Sequence, residues 1–251
     1  MSSNVEQIVS RKLAEAPVHE TPFPYCVVDE VFPRDFYQDI QENFPDPSEL
    51  IPLEDTGRAM NYKERFVMEF KDECLARLPA GKRAFWLGLS EWLLGKSFRA
   101  ATLNTFRRYV EPQFKNVPGA KFISDALGVE DMTNYKLGPH TDASRKVVTC
   151  LFYLPADRSL SEYGTSLYVP KSKDFRDGKG RHFPFPFFDR VLTVPFVPNT
   201  LLAFVKSDKS FHGVEPFVQT GGSRRLLMFD IQVRNADLIN RDSSAKPLPL
   251  S

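Results

Sequence analysis

Only four histidines occur in the 251 residues: His19, His140, His182 and His212. Two of them sit where their neighbours suggest chemistry. In the segment PHTDAS, His140 and Asp142 are separated by one residue. Residues i and i+2 of an extended segment point the same way, so this imidazole and this carboxylate can reach one ion from a single strand end. In FHGVEP, His212 opens a later strand. Two histidines and a carboxylate make a facial triad, which holds iron(II) with three coordination positions open. H-x-D alone is a weak signal. The combination is stronger: H-x-D before one strand, a histidine at the start of another, and arginines on the strand that follows. His19, in the N-terminal leader, is read as a histidine without a metal role. The same holds for His182 in the loop GKGRHFPFPF.

These side chains need elements to hold them. After Pro118, eight short apolar runs alternate with turn residues: AKFISDAL, TNYKL, KVVTCLFYL, TSLYVP, RVLTVPFV, TLLAFV, FHGVEPFV and RRLLMFDIQV. That density of short strands predicts an all-β barrel or sandwich rather than a βαβ sheet. Before it, YCVVD (25–29) reads as a strand and PRDFYQDIQENFP as a short helix with Phe36, Ile40 and Phe44 on one face. A helical block is expected over 73–110, divided at Gly95, with Phe85, Leu89, Trp92 and Leu93 facing a core. The fold class is therefore mostly β with N-terminal α: a jelly roll backed by helices. The chain is read as one domain over 1–251. It comprises a helical region at 1–115, a jelly-roll core at 116–235 and a tail at 236–251. Val148, Cys150, Phe152 and Leu154 alternate onto one sheet face, as do Arg225, Leu227, Phe229 and Ile231, and these are the surfaces the helices would cover.

With these segments in this order, roughly Asn134 to Val233 resembles the prolyl-hydroxylase-like branch of the iron(II)- and 2-oxoglutarate-dependent oxygenase superfamily. The resemblance implies a double-stranded β-helix with His140, Asp142 and His212 as iron(II) ligands and catalytic centre. It also implies 2-oxoglutarate as co-substrate, O₂ as oxidant, ascorbate as an optional stimulant, and succinate and CO₂ as products. In the family, an arginine about a dozen residues after the second histidine binds the distal carboxylate of 2-oxoglutarate. That arginine is here Arg224 or Arg225. Arg224 shares a strand face with Leu226, Met228 and Asp230; the face of Arg225 is more continuously apolar and suits a packing surface. Arg224 is preferred and Arg225 remains the alternative. Guanidinium suits the role because it meets a buried carboxylate with two parallel donors. The family's carboxylate-binding tyrosine corresponds to Tyr153, and Thr149 shares its face. Tyr135 is a candidate for either a ligand contact or packing. Lys146 is read as solvated. Related halogenases carry a small residue at the position of Asp142, so Asp142 implies hydroxylation or another oxidation, such as desaturation or cyclisation, and not halogenation.

Composition sets outer bounds. The formal net charge is +1, from 33 basic and 32 acidic residues, so no global field draws the chain to nucleic acid or membrane. No apolar run reaches the ~18 residues of a membrane span, and residues 1–10 contain no secretory apolar segment. Three widely spaced cysteines indicate neither a disulfide framework nor a zinc site, and fit a reducing cytoplasm. The expected substrate is a small molecule or amino-acid derivative, and the loop 172–188 is the candidate lid. The oligomeric state is not encoded in any of these features. The competing readings are a non-catalytic jelly-roll binding protein, an oxygenase acting on a protein side chain, and a cupin-type metalloenzyme. The last of these ordinarily needs more histidines than this chain has to spare.

Overall fold

The computed structural model describes residues 2–59, 62–117, 119–218 and 222–234, with side chains from residue 4 onward. Eight strands follow Gly119: β4 (Phe122–Asp131), β5 (Leu137–His140), β6 (Lys146–Tyr153), β7 (Thr165–Pro170), β8 (Phe188–Val194), β9 (Thr200–Val205), β10 (His212–Val214) and β11 (Arg224–Val233). Five of them fall within strand-like runs of the sequence; β4 runs past its segment to Asp131, β8 starts two residues before its own, and β5 shares only Leu137 with the run TNYKL. They form two antiparallel layers. The larger sheet holds β9-β6-β11-β4 in that order, flanked by three strands from earlier in the chain, and the smaller has the order β5-β10-β7-β8. From β4 to β11 the chain crosses from one layer to the other at every step except the β7–β8 hairpin, which is the double-stranded β-helix arrangement.

Three strands come from the N-terminal half: β1 (Tyr25–Val28), β2 (Ile51–Pro52) and β3 (Arg65–Glu69). The first is the strand expected at 25–29; β2 and β3 are strands within the 1–115 region that the sequence did not announce. Arg65 and Glu69 end β3 with charges, which masks the short apolar run between them. The strand is fixed instead by antiparallel pairing with β4, Arg65 opposite Asp131 and Val67 opposite Val129. Among the described residues, no helix is long and apolar enough to cross a membrane.

The helices α1 (Ser2–Glu15), α2 (Arg34–Asn43), α3 (Asp72–Leu75), α4 (Ala80–Leu93), α5 (Lys96–Thr105) and α6 (Arg107–Phe114) cover the outer face of the larger sheet. Gly95 separates α4 from α5. Trp86, Phe98 and Phe106 are fully buried against Val148, Cys150, Phe152, Leu227, Phe229 and Ile231. Each such side chain contributes roughly 1.5–3 kcal/mol of apolar burial, so this interface is what keeps the larger sheet in place. Strand alternation then decides the site. With Leu227, Phe229 and Ile231 committed outward to the helices, Arg224, Leu226, Met228, Asp230 and Gln232 line the cavity between the two sheets.

Candidate metal centre and active site

His140 ends β5 and His212 begins β10, directly opposite one another in the ladder. Asp142 lies just beyond His140 in the extended chain. All three side chains are buried, and one ligand atom from each lies within 4.8 Å of the others. The imidazole rings are 4.3 Å apart between centroids. Backbone carbonyls fix both rings: Nδ1 of His140 is 3.1 Å from the carbonyl of Gly138, and Nδ1 of His212 is 3.0 Å from that of Ser210. A carbonyl only accepts, so each Nδ1 carries the proton and each Nε2 presents a lone pair to the shared point. Burial, reinforced by His212, pushes the pKa of His140 well below the ordinary histidine value, and burial lowers that of His212. Both rings are therefore neutral and able to ligate at pH 7.

The close approach of β5 and β10 depends on Gly213. A Cβ there would stand 2.4 Å from the carbonyl oxygen of Leu137. Gly213→Ala is expected to force the two histidine-bearing strands apart, at about 1–3 kcal/mol for overpacking. Thermal melts and iron titration should both register it. An unchanged melt with unchanged affinity would show that the strands have slack.

Asp142 sits in a buried charged cluster. Its Oδ1 is 3.2 Å from Nζ of Lys146, and its Oδ2 accepts a 2.6 Å hydrogen bond from Thr149. Lys146 also reaches Asp230 at 2.9 Å. Burial alone would raise the pKa of Asp142, but Lys146 and the two histidines outweigh it and hold the carboxyl below its usual range. Asp230 goes the other way: burial, with Asp142 nearby, pushes it up to about 6 despite Lys146. The reading of Lys146 as a solvated lysine is corrected. The register shifts between Ile231 and Gln232, so Lys146 pairs with Gln232 and Val147 is skipped. Val147 joins the outer core with Val148, and the bulge turns Lys146 inward beside Thr149.

The cavity beside the triad has a volume of about 250 Å³. Leu127, Leu151, Leu226 and Met228 form its apolar wall. At its inner end, Arg224 is 1 % exposed and donates to Asp131 at 2.6 Å. Arg65 on β3 grips the same carboxylate through Nε at 2.6 Å and Nη2 at 3.0 Å. Two guanidiniums thus share one carboxylate, leaving one positive charge unmatched among the described residues. Nε of Arg224 and the hydroxyl of Tyr135 are both buried with no hydrogen-bond partner among the described residues. Arg65 also lies over the Tyr135 ring at 4.5 Å. Unpaired buried donors beside surplus positive charge fit a carboxylate ligand. Arg225 lies on the opposite face, bonded to Glu130 and over the ring of Phe44.

Tyr153 and Arg224 flank Phe196, 4.9 Å from the tyrosine ring and 4.8 Å from the guanidinium. The Tyr153 hydroxyl accepts the backbone N–H of Thr165 at 3.2 Å, which leaves its own proton to donate. It lies just behind the cavity wall. Thr149 lines the cavity near the triad and bonds to Asp142 and Asp230.

His182, a histidine without a metal role on the sequence reading, lies outside the three-residue ligand group, yet its loop sets it beside the triad. Its ring is 4.7 Å from that of His140, and its Nε2 is 2.8 Å from the hydroxyl of Tyr62. The loop that carries it is pinned by aromatic packing of Phe175, Phe183, Phe188 and Phe211, and by Thr141, which donates to the carbonyl of Asp177 at 2.6 Å. Gly180 and His182 therefore line the cavity, while His19 stacks on Tyr25 away from it. The phenylalanines of HFPFPFF were the available signal: so apolar a loop has to pack against something. Arg65 and Asp131 were also missed, because their pairing exists only across β3 and β4.

No protein-family model matches the chain, and no curated protein sequence does. Solved structures do match. A prolyl 4-hydroxylase from Phytophthora capsici superposes with a TM-score of 0.54 over 93% of this chain and 66% of its own, at 14% identity. It shares the prolyl 4-hydroxylase fold. The Pseudomonas putida prolyl 4-hydroxylase gives a TM-score of 0.50 at 14% identity, over 90% of this chain and 98% of its own. The chain thus spans just under two thirds of the first prolyl 4-hydroxylase and nearly all of the second. The buried His140–Asp142–His212 group lies within this fold.

Proposed function

We propose that this protein is an iron(II)- and 2-oxoglutarate-dependent oxygenase that hydroxylates a C–H bond of a small molecule or amino-acid derivative. One observation carries the reading: a buried His-Asp-His group opens onto a cavity whose inner end holds Arg224 with unsatisfied donors.

His140 Nε2, His212 Nε2 and an oxygen of Asp142 hold the iron. Thr149 and Lys146 keep the Asp142 carboxylate ionised and aimed. Arg224 binds the far carboxylate of 2-oxoglutarate, with the Tyr153 hydroxyl donating from behind the wall. The apolar wall of Leu127, Leu151, Leu226 and Met228 keeps the space between them dry, which strengthens every charge contact within it. When bound, iron(II) and 2-oxoglutarate would activate O₂, with one oxygen atom entering succinate as CO₂ is released and the other inserted into the substrate C–H bond. Tyr62 and His182 stand on the open side and are placed to orient the substrate. Free cysteines at 26, 74 and 150 suit the reducing, cytoplasmic setting that iron(II) chemistry favours.

The test is spectroscopic. Iron(II) and 2-oxoglutarate, added together without oxygen, should produce the weak visible charge-transfer band of the chelate. Metal binding without the band would favour a jelly-roll protein that does not use 2-oxoglutarate.

A further inference from the structure

The mouth of the cavity carries positive charge that the reading above leaves unused. Lys146 is matched by Asp142 and Asp230. Arg58 is matched by Asp125 and Glu69. The surplus at the Arg224 end suits the co-substrate. Two cations remain. Arg145 lines the cavity, and among the described residues its side chain donates to a neutral group, the Oε1 of Gln232, at 3.1 Å. Lys179 lines the same cavity, and its ammonium has no carboxylate within salt-bridge distance among the described residues.

The two come from different parts of the chain, and the fold brings them together. Arg145 begins the turn into β6. Lys179 lies on the loop that ends at β8, next to Gly180, whose absent Cβ would meet the backbone of Ala143 at 3.1 Å. The lid is therefore seated on the segment between Asp142 and Arg145. The backing is rigid: Gln232 is held by Asp125 at 3.1 Å, and Asp125 by both terminal nitrogens of Arg58. A lone exposed lysine or arginine is ordinarily just solvated. Two of them with no carboxylate partner among the described residues, both lining one cavity that ends at a metal triad, are the makings of an anion-binding rim.

We infer that the primary substrate is an acid, whose anionic group binds Arg145 and Lys179 at the mouth while the C–H bond to be oxidised points inward to the triad. This inference rests on the oxygenase reading and narrows its substrate class. Guanidinium forks match carboxylate oxygens.

The experiment uses the full chain loaded anaerobically with iron(II) and saturating 2-oxoglutarate. Matched probes are then added: N-acetylglycine, N-acetylproline and phenylacetate, each against its neutral amide. Perturbation of the charge-transfer band reports binding. At least one acid is expected to bind about tenfold or more tightly than its amide, and Arg145→Ala with Lys179→Ala should abolish that preference while the band itself persists. If no acid is preferred over its amide, or if the preference survives in the double variant, the inference is overturned. Absence of the band before any probe is added would count against the oxygenase reading instead, so the two failures are distinguishable.

Discussion

Replacing Asp142 with alanine is expected to reduce 2-oxoglutarate-dependent succinate production to background while leaving the protein folded. Removing one member of a buried ion pair ordinarily destabilises a protein by stranding its partner. Here the arithmetic is unusual: one lysine, Lys146, sits between two acids, Asp142 and Asp230. Deleting Asp142 leaves a one-to-one pair, and Thr149 keeps Asp230 as an acceptor at 3.0 Å. The loss therefore falls on the metal. Partners that merely orient a ligand are worth about 10- to 100-fold in metal affinity, so removal of the ligand itself should exceed that. Thr149→Val, which keeps shape and removes the hydroxyl, should fall inside the 10- to 100-fold range. Iron titration, succinate assay and a melting curve of the metal-free protein measure the three quantities. Full activity in Asp142→Ala would overturn the assignment.

The second large effect concerns Arg224. Arg224→Ala should raise the KM for 2-oxoglutarate by about 10- to 100-fold, the range of a hydrogen-bonded charge worth about 1.5–3 kcal/mol. The fold is protected because Asp131 keeps both of its bonds to Arg65. What disappears is the positive surplus at the inner end and the unpaired Nε. Arg225→Ala is the matched control: it cuts a bond to Glu130 on the helix side and should leave the KM where it was. The reverse pattern, an effect at Arg225 and none at Arg224, would mean that the co-substrate lies elsewhere.

Which of those two arginines faces the cavity was legible because strand alternation is a local rule. Once Leu227, Phe229 and Ile231 are assigned to a helix-packed face, Arg224 has to turn inward. The eight strands of the core were legible for the same reason, as was the H-x-D geometry. What could not be read depends on pairing between distant segments. β3 is a short run between two charges, and its partner β4 lies more than 50 residues on. Arg65 then reaches Asp131 only through that pairing. Lys146 violates alternation because a bulge shifts the register by one residue, and nothing in KVVTC announces a bulge. His182 arrives on a loop whose path is set by tertiary aromatic packing. In each case a local pattern was overruled by a contact made far along the chain.

The glycine contact between β10 and β5, with the two carbonyls that hold the imidazoles, has a consequence for metal handling. The ligand geometry is built by strand pairing, so an ion arriving there does not have to organise the protein. This is unlike small metal domains, in which binding and folding are one event. Iron should be able to leave and return without unfolding, and chelation should yield a dormant protein that is reactivated by iron(II) alone. The same rigidity carries a liability. A ready-made pair of imidazoles and a carboxylate ranks divalent ions by intrinsic affinity, and cobalt, nickel, copper and zinc all stand above iron in that order. Occupancy would then follow the supply of metals in the cell, and a wrongly loaded chain would be inert but recoverable.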